Sequence, residues 1–167
     1  FIFRKDLQGL ELLKKTLSEA SVMPSCTILE YMTDGQATTC EQGAEGLDPM
    51  QPVTIGACDN GMLYDPDLFN KLMLDESIDV IVWGARGYPG ALRSPEMYGW
   101  IEADPETKNI CSVSVKIPLA DPKTDPIIVG VFTFKRLGDF LSASRRMKAR
   151  GAKVNGEYYV DMAINDA

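Results

Sequence analysis

Apolar residues along this chain alternate between strand-like and helix-like spacing, and the alternation predicts an order of elements. Phe1-Ile2-Phe3 reads as a short strand. Asp6-Leu7 then reads as the start of a helix with Leu7, Leu10, Leu13 and Leu17 on one face. Residues 25–31 form the next strand, followed by the turn Thr33-Asp34-Gly35-Gln36 and a weak helix over 37–47. Residues 52–57 are a short apolar strand that stops at Cys58-Asp59-Asn60-Gly61. Residues 66–74 read as a helix with Leu68, Leu72 and Met73 inward, and 78–83 as an apolar run of strand length. Residues 84–95, rich in Gly and Pro, are loop. Three strands follow in succession, over 98–103, 109–116 and 127–134. Residues 137–147 are an amphipathic helix carrying Leu137, Phe140, Leu141 and Met147. Asn155-Gly156 is a turn, and 157–165 start a last helix.

Strand and helix alternate as far as Trp83, which is the signature of an α/β domain. The expectation is a Rossmann-like mixed sheet, mostly parallel, flanked by helices, with the three later strands as antiparallel addition. No linker divides the chain, so residues 1–167 are read as one domain. Its abrupt start in a strand, without Met, leads us to expect truncation.

Composition narrows the chemistry. The 167 residues hold 17 Lys and Arg against 24 Asp and Glu, a net charge of −7, which argues against general nucleic-acid binding or an anionic membrane surface. No apolar run approaches the roughly 20 residues that span a bilayer, and residues 1–7 are too short and charged to read as a signal peptide. There is no histidine. Within this chain that excludes Ser-His-Asp triads, Cys-His pairs and imidazole-ligated zinc. Catalysis here would use carboxylates, Lys or Arg, backbone amides, or a hard metal held by oxygen. Cys26, Cys40, Cys58 and Cys111 are widely spaced and lie in or beside apolar segments, so they read as reduced, mostly buried thiols of a cytoplasmic protein. The Met side chains and Trp83, Trp100, Tyr98, Tyr158 and Tyr159 read as packing.

In open α/β sheets, ligands bind beyond the carboxyl ends of the strands. Asp59, directly after the strand over 52–57, belongs in that crevice and could hold Mg²⁺, although Asp59-Asn60-Gly61 equally reads as a turn. Gly35 and Gln36 sit between a strand and a helix, where a glycine admits close backbone approach to a ligand, or simply makes a tight turn. Lys116 ends a strand and could pair with phosphate, or be solvated. Glu157 could accept from a sugar hydroxyl, or favour the dipole of the helix it starts; Asp161, one turn on, shares its face.

The order of segments is more specific than any one of them. T-D-G-Q-A-T, V-T-I-G-A-C-D-N, Y-G-W-I-E-A-D, V-S-V-K, I-I-V-G-V-F-T-F and N-G-E-Y-Y-V, in that sequence, resemble the sugar-1-phosphate nucleotidyltransferases, the nucleotide-diphospho-sugar pyrophosphorylases. The likeness runs from about Phe1 to Asp166. It implies a nucleotide-diphospho-sugar transferase fold and transfer of a nucleotidyl group from an NTP to a sugar-1-phosphate with release of pyrophosphate. By resemblance Asp59 is the Mg²⁺-binding aspartate, Gly35 and Gln36 contact the base, and Gly99 lines the sugar. Lys116 binds the sugar phosphate, Gly130 lies in the V-G strand, and Glu157 holds sugar hydroxyls. The family's Glu-Lys pair is here Val115-Lys116. Its N-terminal Gly-rich loop and a second metal-binding aspartate have no counterpart within residues 1–167, so the chain resembles the middle of the enzyme, expected to be inactive alone. The alternatives are a related glycosyltransferase, whose D-x-D motif Asp59-Asn60-Gly61 lacks, and a non-catalytic nucleotide-sugar-binding domain.

Overall fold

The computed structural model describes residues 1–20, 24–59 and 61–167; Asn60, part of the expected turn after Asp59, lies outside them. Among the described residues, seven strands and six α-helices follow one another as β1 (Ile2–Arg4), α1 (Leu10–Glu19), β2 (Thr27–Leu29), α2 (Gln36–Gly43), β3 (Val53–Gly56), α3 (Pro66–Leu74), β4 (Val80–Ala85), α4 (Pro89–Arg93), β5 (Gly99–Ala103), β6 (Ile110–Val115), β7 (Ile127–Phe134), α5 (Leu137–Ala149) and α6 (Val160–Ile164).

The mixed α/β character is as expected; the mostly parallel sheet is not. The parallel pairing is that of β1 with β2, joined from Ile2–Thr27 to Arg4–Leu29. The five-stranded sheet is antiparallel, in the order β3-β7-β5-β6 with β4 also on β7. The cause lies in β7. Its eight residues are almost all buried, which suits a strand covered on both faces and flanked on both edges. It inserts between β3 and β4 and runs against both, pairing Phe134 with Val53 on one side and with Val80 on the other. β3 and β4 are thereby kept apart, each paired with β7.

Side chains alternate across this sheet as the pleat requires. Ile101, Ile128, Phe132 and Phe134 point to one face, where Leu137, Phe140 and Met147 of α5 and Val160 and Ala163 of α6 close the main core. The Phe134 and Phe140 rings meet at 5.4 Å between centroids. Trp100 and Ile127 point to the other face and pack with Ala91 of α4. On that face also, the buried Thr133 hydroxyl receives a hydrogen bond from Trp83 Nε1 at 3.2 Å and meets Thr54 Oγ1 at 2.9 Å.

Several local expectations shift. The first helix starts at Leu10 behind Gly9, and Leu7 and Leu13 are exposed instead of lining a buried face. Helix α3 starts where expected, because Asp65 accepts from the Asp67 and Leu68 N–H groups and Pro66 occupies the first turn. Leu68, however, faces outward. The expected loop over 84–95 contains α4, and a single 3₁₀ turn at Pro95–Met97 follows it. The last helix begins at Val160, not Glu157. All four cysteines are free thiols, but Cys58 and Cys111 are exposed; burial pushes the Cys40 thiol up to about 11. Met147 is buried, whereas Met32, Met50 and Met97 are exposed. No helix among the described residues is long and apolar enough to cross a membrane.

Phe134→Ala should cost about 3–5 kcal/mol, because the side chain is fully buried between sheet and α5. Urea unfolding checks this: the midpoint should fall with an unchanged slope, and an unmoved midpoint would place the core elsewhere.

Candidate functional site

Four of the candidate residues, at positions 35, 36, 99 and 116, converge on the segment that carries Tyr158, Tyr159, Val160 and Asp161. The convergence starts at the turn before α2. Gly35 holds φ at 140°, outside the range that side-chain-bearing residues favour. Its neighbours exchange backbone hydrogen bonds with Tyr158: the Tyr158 N–H donates to the Asp34 carbonyl at 3.0 Å, and the Ala37 N–H donates to the Tyr158 carbonyl at 2.9 Å. A Cβ on Gly35 would collide with the Tyr158 backbone, so close approach is the reason for this glycine. Gln36 sits at the first position of α2, and its Oε1 accepts from the Val160 N–H at 3.3 Å, which caps α6.

The other side of the segment faces β5 and β6. A Cβ on Gly99 would collide with the Asp161 carboxylate and press on Ile128 Cδ1 at 3.0 Å. Lys116 follows β6 with φ at 59°, a left-handed conformation uncommon for a residue with a side chain and one that clusters at functional positions. Its N–H donates to the Tyr98 carbonyl at 2.9 Å, and its Nζ lies 5.3 Å from the centre of the Tyr159 ring. Asn165 fastens the far end of α6 to β6: its Oδ1 accepts from the Val113 N–H and its Nδ2 donates to the Val113 carbonyl, both at 2.8 Å.

Asp161 is partly buried in this cluster, and loss of hydration lifts its carboxyl to about 6 from 3.8; its own backbone N–H and the field of Lys116 pull in the other direction. Tyr158 is flanked by two cations, Lys153 Nζ at 4.7 Å and Lys148 Nζ at 5.7 Å from the ring centre. Those cations are balanced by Asp34 and Glu41 respectively.

Asp59 and Gly130 make a second group. Gly130, with φ at 74°, sits in an irregular stretch of β7: two residues of β4, Val82 to Gly84, span four of β7, Phe132 to Ile128. Its carbonyl accepts from the Ala57 N–H at 2.9 Å, and a Cβ there would approach Ala57 Cβ at 3.0 Å. Asp59 follows two residues later and is exposed, so its carboxylate is open to solvent and not sealed in the core. The two groups are neighbours along β7, since Ile128 touches the Gly99 position and Gly130 lies two residues on, roughly 7 Å of strand. Glu157 is exposed in the bridge Val154–Glu157 that closes the Asn155-Gly156 turn, where both residues have positive φ as a tight hairpin turn requires.

No group of three carboxylates or cysteines among the described residues is arranged to hold a metal. Mg²⁺ is commonly held by one or two carboxylates, with substrate phosphates and water completing its shell. One exposed carboxylate at Asp59 fits that mode and does not fit a closed all-protein cage. Two cavities open elsewhere. One of about 210 Å³ lies among Asp79, Arg136, Asp139 and Arg146; one of about 420 Å³ lies at the carboxyl end of α2, lined by Glu41, Leu47 and Leu141. The candidate residues line neither, and the close-approach glycines, the strained lysine and the half-buried acid mark the site better than concavity does.

Against known proteins the fold is clear and the sequence is distant. The chain superposes on a nucleoside-diphosphate-sugar pyrophosphorylase from Vibrio cholerae RC9 with a TM-score of 0.75 and 20% identity, over 99% of this chain and 66% of that one. It superposes on a UDP-glucose pyrophosphorylase complexed with UDP-glucose with a TM-score of 0.60 and 12% identity, over 97% of this chain and 61% of that one. The chain thus spans less than two thirds of either structure. No protein-family model matches the sequence, and no curated protein matches it significantly. The fold is that of the nucleotide-diphospho-sugar pyrophosphorylases.

Asp161 and Tyr159 join the candidate residues in the structure, and sequence reasoning gave them less weight. Asp161 was legible as a neighbour of Glu157 on one face, and Tyr159 as packing; the signal that joins them to Lys116 is spatial.

Because folding lifts the Asp161 carboxyl to about 6, ionising it costs stability as pH rises from about 4 to about 6, and the cost stays constant above that. Asp161→Asn removes the cost. Thermal melts should show the variant a few °C more stable than wild type at pH 8, with the difference closing by pH 4. Equal differences at both pH values would contradict the buried-acid assignment.

Proposed function

We propose that this chain is the nucleotidyltransferase domain of an enzyme that joins an NTP to a sugar-1-phosphate, giving an NDP-sugar and pyrophosphate. The observation that carries this reading is the convergence of Gly35, Gln36, Gly99 and Lys116 on residues 158–161, across intervals of more than forty residues. The shared fold over 99% of the chain supports it.

A sugar-1-phosphate is already a nucleophile, so the reaction asks for positioning and charge neutralisation instead of a general base. That suits a chain without histidine. Lys116 would hold the attacking phosphate as a point charge, its left-handed backbone fixing where the ammonium starts. The backbone at Gly35 and the carboxamide of Gln36 would receive the base at the start of α2. Gly99, whose side-chain space the Asp161 carboxylate fills, would line the sugar only with its strand backbone, and Glu157 would accept from the sugar hydroxyls. Asp59 would hold Mg²⁺, which when bound neutralises phosphate charge.

A second reading, a nucleotide-sugar-binding domain without turnover, is favoured by one observation. Val115, where the resemblance calls for an acid, is buried in the main core, so no carboxylate precedes Lys116.

Pyrophosphate release from a panel of NTPs and sugar-1-phosphates, using the full-length protein with Mg²⁺, separates the readings. Turnover that falls about 10²-fold or more in Lys116→Met, and is abolished in Asp59→Asn with an unchanged melting temperature, is the expected result. Nucleotide-sugar binding without pyrophosphate release would favour the second reading. Unchanged turnover in Asp59→Asn would remove that residue from the mechanism.

A further inference from the structure

Resting on the reading of Lys116 as the phosphate-binding lysine, we infer that Asp161 sets the charge of that subsite, so that binding of a phosphoryl dianion at Lys116 is coupled to protonation of the Asp161 carboxylate.

The geometry ties both residues to the same stretch of chain, Tyr98-Gly99. The carboxylate occupies the space over Gly99 that a side chain would otherwise fill, and Gly99 belongs to the strand whose preceding residue, Tyr98, accepts the Lys116 N–H. Lys116 is thus tied by its backbone beside the residue that Asp161 covers. The Lys116 ammonium lies over the Tyr159 ring, two residues before Asp161, and its field is the charged influence that reaches the acid.

Helix α6 packs on α2, α5 and β6, and the other charges on those elements and on the neighbouring strand are committed elsewhere. Glu41 of α2 pairs with Lys148 of α5, Asp139 of α5 pairs with Arg136, Arg146 of α5 donates to the Asp166 carbonyl, and Arg150, just past α5, pairs with the Asp166 carboxylate. Lys153 pairs with Asp34, and Glu102 of β5 accepts from Ser112. Glu157 and Arg145 are exposed, and Tyr98 and Tyr159 bring phenols.

With Asp161 ionised, the pair Lys116–Asp161 is neutral and an arriving dianion meets a half-buried negative charge. With Asp161 protonated, the ammonium faces the dianion unopposed. A bound dianion therefore favours the protonated acid, and by linkage a protonated acid favours the dianion. Since burial already lifts the carboxyl to about 6, the coupling falls between pH 5 and 8.

Sulfate is the probe of choice, because it remains a dianion from pH 5 to 8, whereas inorganic phosphate titrates within that range. Binding is measured calorimetrically at constant ionic strength on wild type, Asp161→Asn and Lys116→Gln. Wild-type affinity should rise about tenfold from pH 8 to pH 5, with about half a proton taken up per sulfate near pH 6.5. The rise should vanish in Asp161→Asn, and binding should be lost at every pH in Lys116→Gln. A carbon-detected titration of the wild-type Asp161 carboxyl, with and without sulfate, gives the same answer without a variant: its midpoint should move up when sulfate is bound. Lys116-dependent binding with the same pH profile in wild type and Asp161→Asn, or an unmoved carboxyl midpoint, overturns the coupling while leaving Lys116 as the anion ligand. Sulfate binding that is absent, or indifferent to Lys116→Gln, overturns the subsite reading and the coupling together.

Discussion

The segment from Tyr158 to Asn165 is held at both ends by paired hydrogen bonds, and the site depends on those two fastenings. At one end Tyr158 exchanges backbone bonds with Asp34 and Ala37 around Gly35. At the other, the Asn165 carboxamide takes both the N–H and the carbonyl of Val113. Each fastening joins the segment to a different part of the chain, the turn before α2 and the edge strand β6. A five-residue helix would be marginal alone, and these bonds together with the buried Val160, Ala163 and Ile164 give it a fixed place. Anything that must meet between α2 and the β5–β6 hairpin meets across this segment.

What lies around it is organised by close approach. Gly35 and Gly99 are each backed by an atom of the segment, so their lack of a side chain serves packing first, and a ligand would enter on the surfaces this packing leaves. The Lys116 backbone stores modest strain, and the Asp161 carboxyl is held short of full hydration. Both features cost stability, and both concentrate at one place, which is the distribution expected where a structure gives up some stability for function. The exposed Asp59 and the irregular stretch at Gly130 sit one step further along β7, so that strand links the two groups.

Much of this was legible from residue pattern. Element existence was read from periodicity, and α3 and β7 were placed to the residue. The Asn155-Gly156 turn was legible because that dipeptide tolerates two positive φ values in a row. Strand neighbourhood was not legible. Alternation of strand and helix says that crossovers exist, and not that a later strand will insert between two earlier ones, as β7 does between β3 and β4. The site divides in the same way. Gly35 and Lys116 were singled out by their place at strand and helix ends and Gly99 by the order of segments, whereas the contact of Asp161 with the Gly99 position needs the third dimension, because that residue lies sixty-two positions earlier. Exposure was the least legible property: Cys58, Cys111 and Leu68 stand in apolar surroundings along the chain and face solvent in the fold.

The central claim is that residues 158–161 gather a nucleotide-sugar site from the α2 turn, β5 and Lys116. A crystal structure of the protein with a bound nucleoside diphosphate sugar tests it most directly. The account predicts the base against Gly35 and Gln36 and a phosphate oxygen within hydrogen-bond distance of Lys116 Nζ, with the lysine drawn off the Tyr159 ring. A ligand seated elsewhere, with Lys116 still over Tyr159, would contradict it.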